Sequence, residues 1–336
     1  MDALMDVIVV GAGMAGVTYA RTVHDAGWQV LLLDKSRGFG GRMATRRSGE
    51  NAWDHGAQYF TATHPDFHTL VTDWVDDGLA AIWQGRIAVW DGETLGDAGP
   101  MIRYVGVPGM TAVCKAMAAP LPHHLHTTVT ALLPEGEGWR VLAEHGEWRA
   151  RRVVLAMPPA QAAALLPPGH DLLRHAANAD MLPAWTLLLS FAAPLPLPFS
   201  GLFINREPLA WLADNASKPG RPAGLDWVLH ASPTWSAAHL DLPHETVAEL
   251  LEQALLKLCA QLAPGQPVPE RLSIAAHRWR YARPAQAAQD AFRESGDGLA
   301  LIGDWLLGGR VEGAFLSGLA LARRHCGIPV ALTEVF

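Results

Sequence analysis

The chain has 336 residues, of which half are hydrophobic and 18% charged, and its net charge is −7. That length exceeds one simple domain and points to two packed units with a sizeable core. The acidic balance supplies no positive field for phosphate backbones, so nucleic acid is not an expected partner.

The start, MDALMD, is acidic and has no basic n-region, and the apolar run after it is broken by GAGMAG. Neither a signal peptide nor a membrane span is expected. Cys114, Cys259 and Cys326 lie far apart with no CxxC pair. They argue against a disulfide framework or zinc site and fit a reducing, cytoplasmic setting. Thirteen tryptophans hint at a pocket for something flat, although large cores also use Trp.

VIVV at 7–10 is a β-branched run, as in a buried parallel strand. After GAGMAG, VTYARTVHDAG reads as a helix ended by Gly27, and WQVLLLD as a second strand ending at Asp34. This is β-α-β. A Gly- and Arg-rich loop runs from Lys35 to Arg47, and 66–80 shows a helical stripe through Phe67, Leu70, Val71, Trp74 and Val75. Short alternating runs over 82–105 predict hairpins, and PGMTAVCKAMAAPL a short helix with Pro108 near its start. Residues 125–155 hold three alternating strands, with turns at Glu135–Gly138 and His145–Glu147, that end in the apolar strand Val153–Met157 before the helix at AQAAALL. Proline-rich 193–199 and 219–222 read as loops, and 244–263 as an amphipathic helix. HRWRYARP is a strand with a loop exit, GLALIGDW a strand, and LLGGRVEGAFLSGLALARRH a loop and helix. No linker separates two lobes, so the chain is expected to cross between them more than once.

Gly11-x-Gly13-x-x-Gly16 sits between a predicted strand and a helix, with Ala12, Met14 and Ala15 filling the turn. The first glycine allows the tight turn, the second a close approach to a pyrophosphate, and the third close helix–strand packing. The helix N-terminus offers free N–H groups to phosphate. Asp34 can accept from both ribose hydroxyls and would repel a 2′-phosphate, so FAD or NAD suits the site better than NADP. The loop after Asp34 reads Arg37-Gly38-x-Gly40-Gly41-Arg42. Its glycines let the backbone pass close to a pyrophosphate, which Arg42 neutralises in planar geometry; Lys35, Arg37, Gly41 and Met43 complete the set. Arg46 and Arg47 read as a solvated basic turn.

The Gly-Gly-Arg pattern resembles the second motif of the amine oxidase flavoprotein superfamily. Gly303-Asp304-Trp305, followed by Gly309, Val311-Glu312-Gly313-Ala314 and Ser317-Gly318, resembles that superfamily's C-terminal FAD motif, in which the Asp binds the ribityl chain. In the same match Val129 lies against the adenine and Ala156–Pro158 near the cofactor. SRGFGGRMATRR, WDHGAQYFTA, VGVPGM, HRWRYA and GDWLLGGRVEGAFLSG resemble its renalase-type branch, especially the bacterial members. That resemblance covers nearly the whole chain. It implies an α/β, p-hydroxybenzoate-hydroxylase-like fold: a Rossmann-like FAD-binding domain, here 1–72, 101–168 and 290–336, interleaved with an α+β substrate domain, 73–100 and 169–289. It further implies noncovalent FAD and oxidation of the 2- and 6-dihydro isomers of NAD(P)H to NAD(P)+, with electrons passing to O2 as H2O2.

Hydride removal from a dihydropyridine needs placement more than acid–base help, and no catalytic side chain is assigned. Amine oxidases of this superfamily usually carry a pocket lysine. Of Lys35, Lys115, Lys218 and Lys257, none stands out; Lys218 falls in a Pro/Gly loop. An amine or other small-molecule oxidase remains the alternative, and a non-catalytic binder resembling Rab GDP-dissociation inhibitors is the reading of another class. Candidate pocket residues are Trp185, His230, Trp235, Trp279, Arg280 and Tyr281, with Tyr59 or Phe60 as wall. In the segment WDHGAQYF, Gly56 is read as the point where backbone meets the flat flavin ring, with Ala57 and Gln58 amides donating to it. His55 has no paired ligand at metal spacing and is read as a structural hydrogen-bonding residue; no metal is expected.

Overall fold

The computed structural model describes residues 4–328 apart from Glu50 and Ala287. The ends of the first and last expected FAD-domain segments, 1–3 and 329–336, lie outside the described residues. The chain begins with β1 (Met5–Val10), α1 (Met14–Asp25) and β2 (Val30–Leu33), the predicted β-α-β unit. A hairpin follows, β3 (Thr45–Ser48) with β4 (Asn51–Asp54), then α2 (Pro65–Asp76). The hairpin region holds β5 (Ala80–Ile82), β6 (Ile87–Trp90), β7 (Leu95–Asp97) and β8 (Tyr104–Gly106), leading to α3 (Thr111–Ala118) and the short β9 (His123–His124).

Next come β10 (Val129–Glu135), β11 (Gly138–Ala143) and β12 (Gly146–Leu155). The three strands expected over 125–155 are present, and the last of them carries the apolar stretch from Val153 to Leu155. β12 is one strand of 10 residues whose first half pairs antiparallel with β11 and whose second half pairs parallel with β1. Its alternating half has one wet face and its apolar half is buried on both, so one strand carries two patterns. α4 (Pro159–Leu165) and α5 (Leu173–Ala177) precede β13 (Met181–Phe191), β14 (Gly201–Arg206), β15 (Leu209–Asp214), β16 (Asp226–Ala231), α6 (Pro233–Ala238) and α7 (His244–Leu262). The chain closes with β17 (Arg271–Pro284), β18 (Phe292–Glu294), β19 (Leu299–Ile302) and α8 (Val311–His325).

Two large sheets result. The first runs β10-β11-β12-β1-β2-β9, with β19 joined parallel to β12 and β18 antiparallel to β19. The second runs β17-β13-β16-β15-β14-β6-β7. One face of the second sheet, through Trp185, Leu187, Leu189, Leu212 and Leu229, packs on the Val247, Leu251, Leu255 and Leu258 stripe of α7. Each such leucine contributes about 1.5–3 kcal/mol by leaving water. α8 returns the C-terminal segment to α1. A Cβ on Gly318 would lie 2.3 Å from the Ala15 carbonyl oxygen, so the two helix backbones touch.

Candidate functional site

The glycine turn is built as the spacing requires. Gly11 has φ +115°, and a Cβ there would meet the Ala156 oxygen at 2.3 Å; one on Gly16 would lie 1.9 Å from the Gly11 oxygen. Gly13 differs. Its nearest neighbour would be 4.0 Å away, so its bare side is open space for a ligand. Asp34 takes the Ala12 N–H on Oδ2 and the Ser36 N–H on Oδ1, each at 2.6 Å. It therefore fastens the turn, and its remaining lone pairs stay available for hydroxyls. The Gly40 N–H donates to the Ala12 oxygen at 2.8 Å, drawing the arginine loop over the turn.

Arg42 and Asp304, expected to serve different parts of a cofactor, are each other's partner. Two parallel bonds, Nη1 to Oδ2 at 3.0 Å and Nη2 to Oδ1 at 2.5 Å, tie the early loop to the late one. Gly313 lets the first turn of α8 sit on the Leu307 carbonyl, where a Cβ would come within 1.8 Å. The unpaired N–H groups and positive end of α8 then face the same cavity as Ala314.

That cavity has a volume of about 1850 Å³. Among the cofactor candidates, Gly11, Gly13, Met14, Ala15, Asp34, Lys35, Arg37, Gly41, Arg42, Met43, His55, Gly56, Ala57, Gln58, Val129, Ala156, Gly303, Asp304 and Ala314 line it. Ala12, Gly16 and Gly313 lie behind the lining and act by packing. Of the pocket candidates, Tyr59, His230, Trp279, Arg280 and Tyr281 line it. Trp185 does not: alternation along β13 turns it into the α7 core, where its Nε1–H donates to the His239 oxygen at 3.0 Å. Trp235 also lies elsewhere, stacked on His239 at 4.1 Å. Arg46 and Arg47 are not simply a solvated turn; β3 carries both to the cavity wall.

One row across the second sheet forms much of the pocket face. Phe203, Trp211, His230, Thr186 and His277 are successive direct cross-strand partners on β14, β15, β16, β13 and β17, and all five line the cavity. Phe203 and Trp211 carry no local motif, which is why the sequence alone does not single them out. Burial pushes the His230 imidazole down to about 4, aided by the Lys218 charge, and the His277 imidazole to about 4, aided by Arg46. His55 is pushed to about 3, by burial first and then by His277. All three rings are neutral at pH 7.

His55 and Gly56 line the cavity and are also engaged within the protein. The His55 carbonyl accepts from Thr186 Oγ1 at 3.1 Å and Trp279 Nε1 at 3.0 Å. Its ring Nδ1 has no partner among the described residues. The ring is held by packing against His277 and Trp279, at 4.7 and 4.9 Å. A Cβ on Gly56 would strike the Arg42 carbonyl oxygen at 1.9 Å, so the glycine is required first by the arginine loop. Among the described residues, no three His, Cys, Asp or Glu side chains converge as metal ligands.

The largest surprise is Lys218. It is fully buried, with Nζ 3.0 Å from Gln58 Oε1, 3.3 Å from Asn215 Oδ1 and 3.5 Å from Asp54 Oδ2. Asp54 also accepts from Arg221 Nε at 3.0 Å, Thr45 Oγ1 at 2.8 Å and the Met110 N–H at 3.0 Å. Burial opposes the Asp54 charge, but Lys218 and Arg221 outweigh it and hold the carboxyl below its usual range. Gln58 Nε2 reaches the Gly56 oxygen at 3.1 Å and comes within 3.4 Å of His230 Nε2. A buried charge cluster thus abuts the pocket through one glutamine.

A β-α-β phosphate cradle closed by a distant C-terminal helix, with a second sheet over the cavity, defines a dinucleotide-binding protein of the two-sheet flavoprotein class. The chain belongs to the family of flavin containing amine oxidoreductases, whose model matches residues 87–325; an NAD(P)-binding Rossmann-like domain model matches 9–76. Cyclohexylamine oxidase from Brevibacterium oxydans IH-35A shares the fold, with a TM-score of 0.73 at 15% identity over 97% of this chain and 99% of that one. A triple mutant of putrescine oxidase gives 0.74 at 16%, over 96% and 99%. An L-amino-acid oxidase of Siganus canaliculatus is 40% identical over 63 residues, which are 18% of this chain and 12% of that protein. A fumarate reductase of Schizosaccharomyces pombe is 38% identical over 66 residues, 20% of this chain and 13% of that protein. The family's cofactor is a flavin, and the residues fit FAD: the open side of Gly13, the spare lone pairs of Asp34 and the α8 N-terminus share one cavity.

Proposed function

We propose that the protein is an FAD-dependent oxidase of the renalase-type branch, acting on the 2- and 6-dihydro isomers of NAD(P)H. The observation that carries this reading is the charge of the cavity. Lys35, Arg37, Arg46, Arg47, Arg283 and Arg310 line it with no acidic partner among the described residues. Its acids are engaged within the protein, Asp304 by Arg42, Asp34 by two amides, and Glu312 by the Thr63 and His64 amides. In a chain of net charge −7 this is a site for phosphates, and more than one cofactor's worth. A drug-sized ligand occupies roughly 300–1000 Å³, so about 1850 Å³ leaves room for a second nucleotide.

When bound, FAD supplies a hydride acceptor that passes electrons to O2, giving H2O2. The chain's residues bind, orient and exclude water. The Phe203–Trp211–His230 row and Trp279 offer flat, neutral surfaces for a dihydropyridine ring. No general base is assigned, since loss of hydride from an electron-rich dihydropyridine ring releases no proton. We further infer that FAD is held noncovalently. We divide the chain into an FAD domain (1–72, 101–168, 290–336) and a substrate domain (73–100, 169–289), and infer a cytoplasmic setting. Among the described residues no helix is long and apolar enough to cross a membrane.

Oxidation of amines is the second reading, favoured by the family to which the chain belongs. Anaerobic mixing separates the two. Rapid bleaching of the flavin by 2- or 6-dihydro-NAD(P), and not by amines or ordinary NADH, is expected; bleaching by an amine alone overturns the proposal.

A further inference from the structure

We propose that Lys218 sets the charge preference of the substrate pocket: its ammonium, sealed behind the aromatic wall, favours neutral and anionic rings and disfavours ammonium ions. The proposal rests on the reading of a neutral dihydropyridine as substrate.

Tyr59, Phe203 and Trp211 line the cavity, and Trp83 backs them. Ring centroids are 5.8 Å apart for Tyr59–Trp211, 4.7 Å for Phe203–Trp211 and 6.3 Å for Trp83–Trp211. Such a box alone would attract an ammonium ion through the negative faces of its rings. Two of the rings already carry a cation. Lys218 Nζ stands 5.5 Å from the Trp83 centroid, and Arg103 Cζ 5.3 Å from that of Tyr59. Neither cation lines the cavity, so both act through the wall. A ring polarised by a cation on one face is a poorer seat for another, and like charges repel strongly where water is excluded.

The groups facing Lys218 divide their counter-charge between it and Arg221. Asp54 is the nearest acid, but Arg221 holds the same Oδ2 through two nitrogens. Asp214 adds a weaker attraction, and its own carboxyl is pushed up by burial. Asn215, Gln58 and neutral His230 contribute dipoles only. Gln58 Oε1, 3.0 Å from Nζ, hands the field on to a residue that does line the pocket. Burial pushes the Lys218 ammonium down to about 8 against the pull of Asp54. The charge is therefore present at neutral pH and lost as pH rises through about 8, which gives the unmodified protein a built-in control.

The test uses two probes on the FAD-loaded protein, benzamide as a neutral ring and benzyltrimethylammonium as a permanent cation. Binding is read from perturbation of the flavin absorbance, in the native protein and in Lys218→Met. The variant is expected to shift the affinity ratio toward the cation by roughly tenfold or more. Raising pH through about 8 should produce the same shift in the native protein and none in the variant. An unchanged ratio in a variant that still binds FAD overturns the proposal. If Lys218→Met does not fold, Lys218→Gln takes its place, and an unchanged ratio in that variant overturns the proposal. Flavin bleaching by 6-dihydro-NAD is scored separately, so failure of the substrate reading is visible even where the probes behave as expected.

Discussion

Replacing Gly56 with alanine adds one methyl group at the tightest point of the cofactor wall. Its Cβ would lie 1.9 Å from the Arg42 oxygen and 2.9 Å from the Arg42 carbonyl carbon. Backbone must therefore move, since neither atom is the free end of a side chain. The Ala57 N–H donates to that same oxygen at 2.8 Å in the native chain, and this hydrogen bond is the first to break. Overpacking of this kind costs about 1–3 kcal/mol and the broken hydrogen bond about 1 more. Displacement of Arg42 also disrupts its paired bonds to Asp304, the link between the early and late cofactor loops. Thermal unfolding should fall by several degrees, and FAD affinity, measured by fluorescence titration of the apoprotein, by at least about tenfold, or 1.4 kcal/mol. An alanine variant with native stability and native FAD affinity would refute the placement of Gly56 against the arginine loop.

Asp54→Asn leaves Arg221 and Lys218 without their counter-charge and should cost about 3–5 kcal/mol in urea unfolding. Because the Asp54 carboxyl is held below its usual range, its stabilisation is full above the ordinary carboxylate pKa of about 4 and disappears as pH falls through the lower folded value. Acid unfolding of the native protein should therefore show a step that the Asn variant lacks. Glu312→Ala strips acceptors from the Thr63 and His64 amides, 2.5 and 2.7 Å away, and should cost about 2–4 kcal/mol with faster hydrogen exchange at both. Trp185→Phe should lower stability by about 1–3 kcal/mol through reduced volume and the missing bond to His239, leaving the flavin spectrum unchanged; a changed spectrum would return Trp185 to the pocket.

What can be read from the sequence follows the range of the interactions involved. GAGMAG and Asp34 announce themselves because strand, turn, helix and acid are consecutive. The Arg42 loop and the Asp304 loop are each legible, but their mutual pairing spans 262 positions and carries no local mark. Trp185 is hard to place because β13 is buried on both faces, so its apolar run hides which side faces the cavity. Lys218 and Arg221 sit in one Pro/Gly stretch that reads as surface, and only the fold brings Asp54, 164 positions away, beside them. In the Phe203–Trp211–His230–Thr186–His277 row only Phe203 and Trp211 meet across a local hairpin; Thr186 and His277 join through strands distant in the chain, which no local spacing marks.

β12 has a consequence for biosynthesis. It is the seam where the first strand of the chain and one of the last meet: β1 lies on one side of its second half, and β19 on the other. During translation the N-terminal β-α-β unit emerges early, yet its sheet stays open-edged until Leu299–Ile302 leaves the ribosome, and α1 waits longer still for α8. The nascent protein thus spends most of its synthesis with an unpaired parallel edge and an uncovered helix face, the features that recruit chaperones. Ribosome-stalled chains ending before Leu299 should retain no FAD, and chains released after His325 should acquire it in one cooperative step.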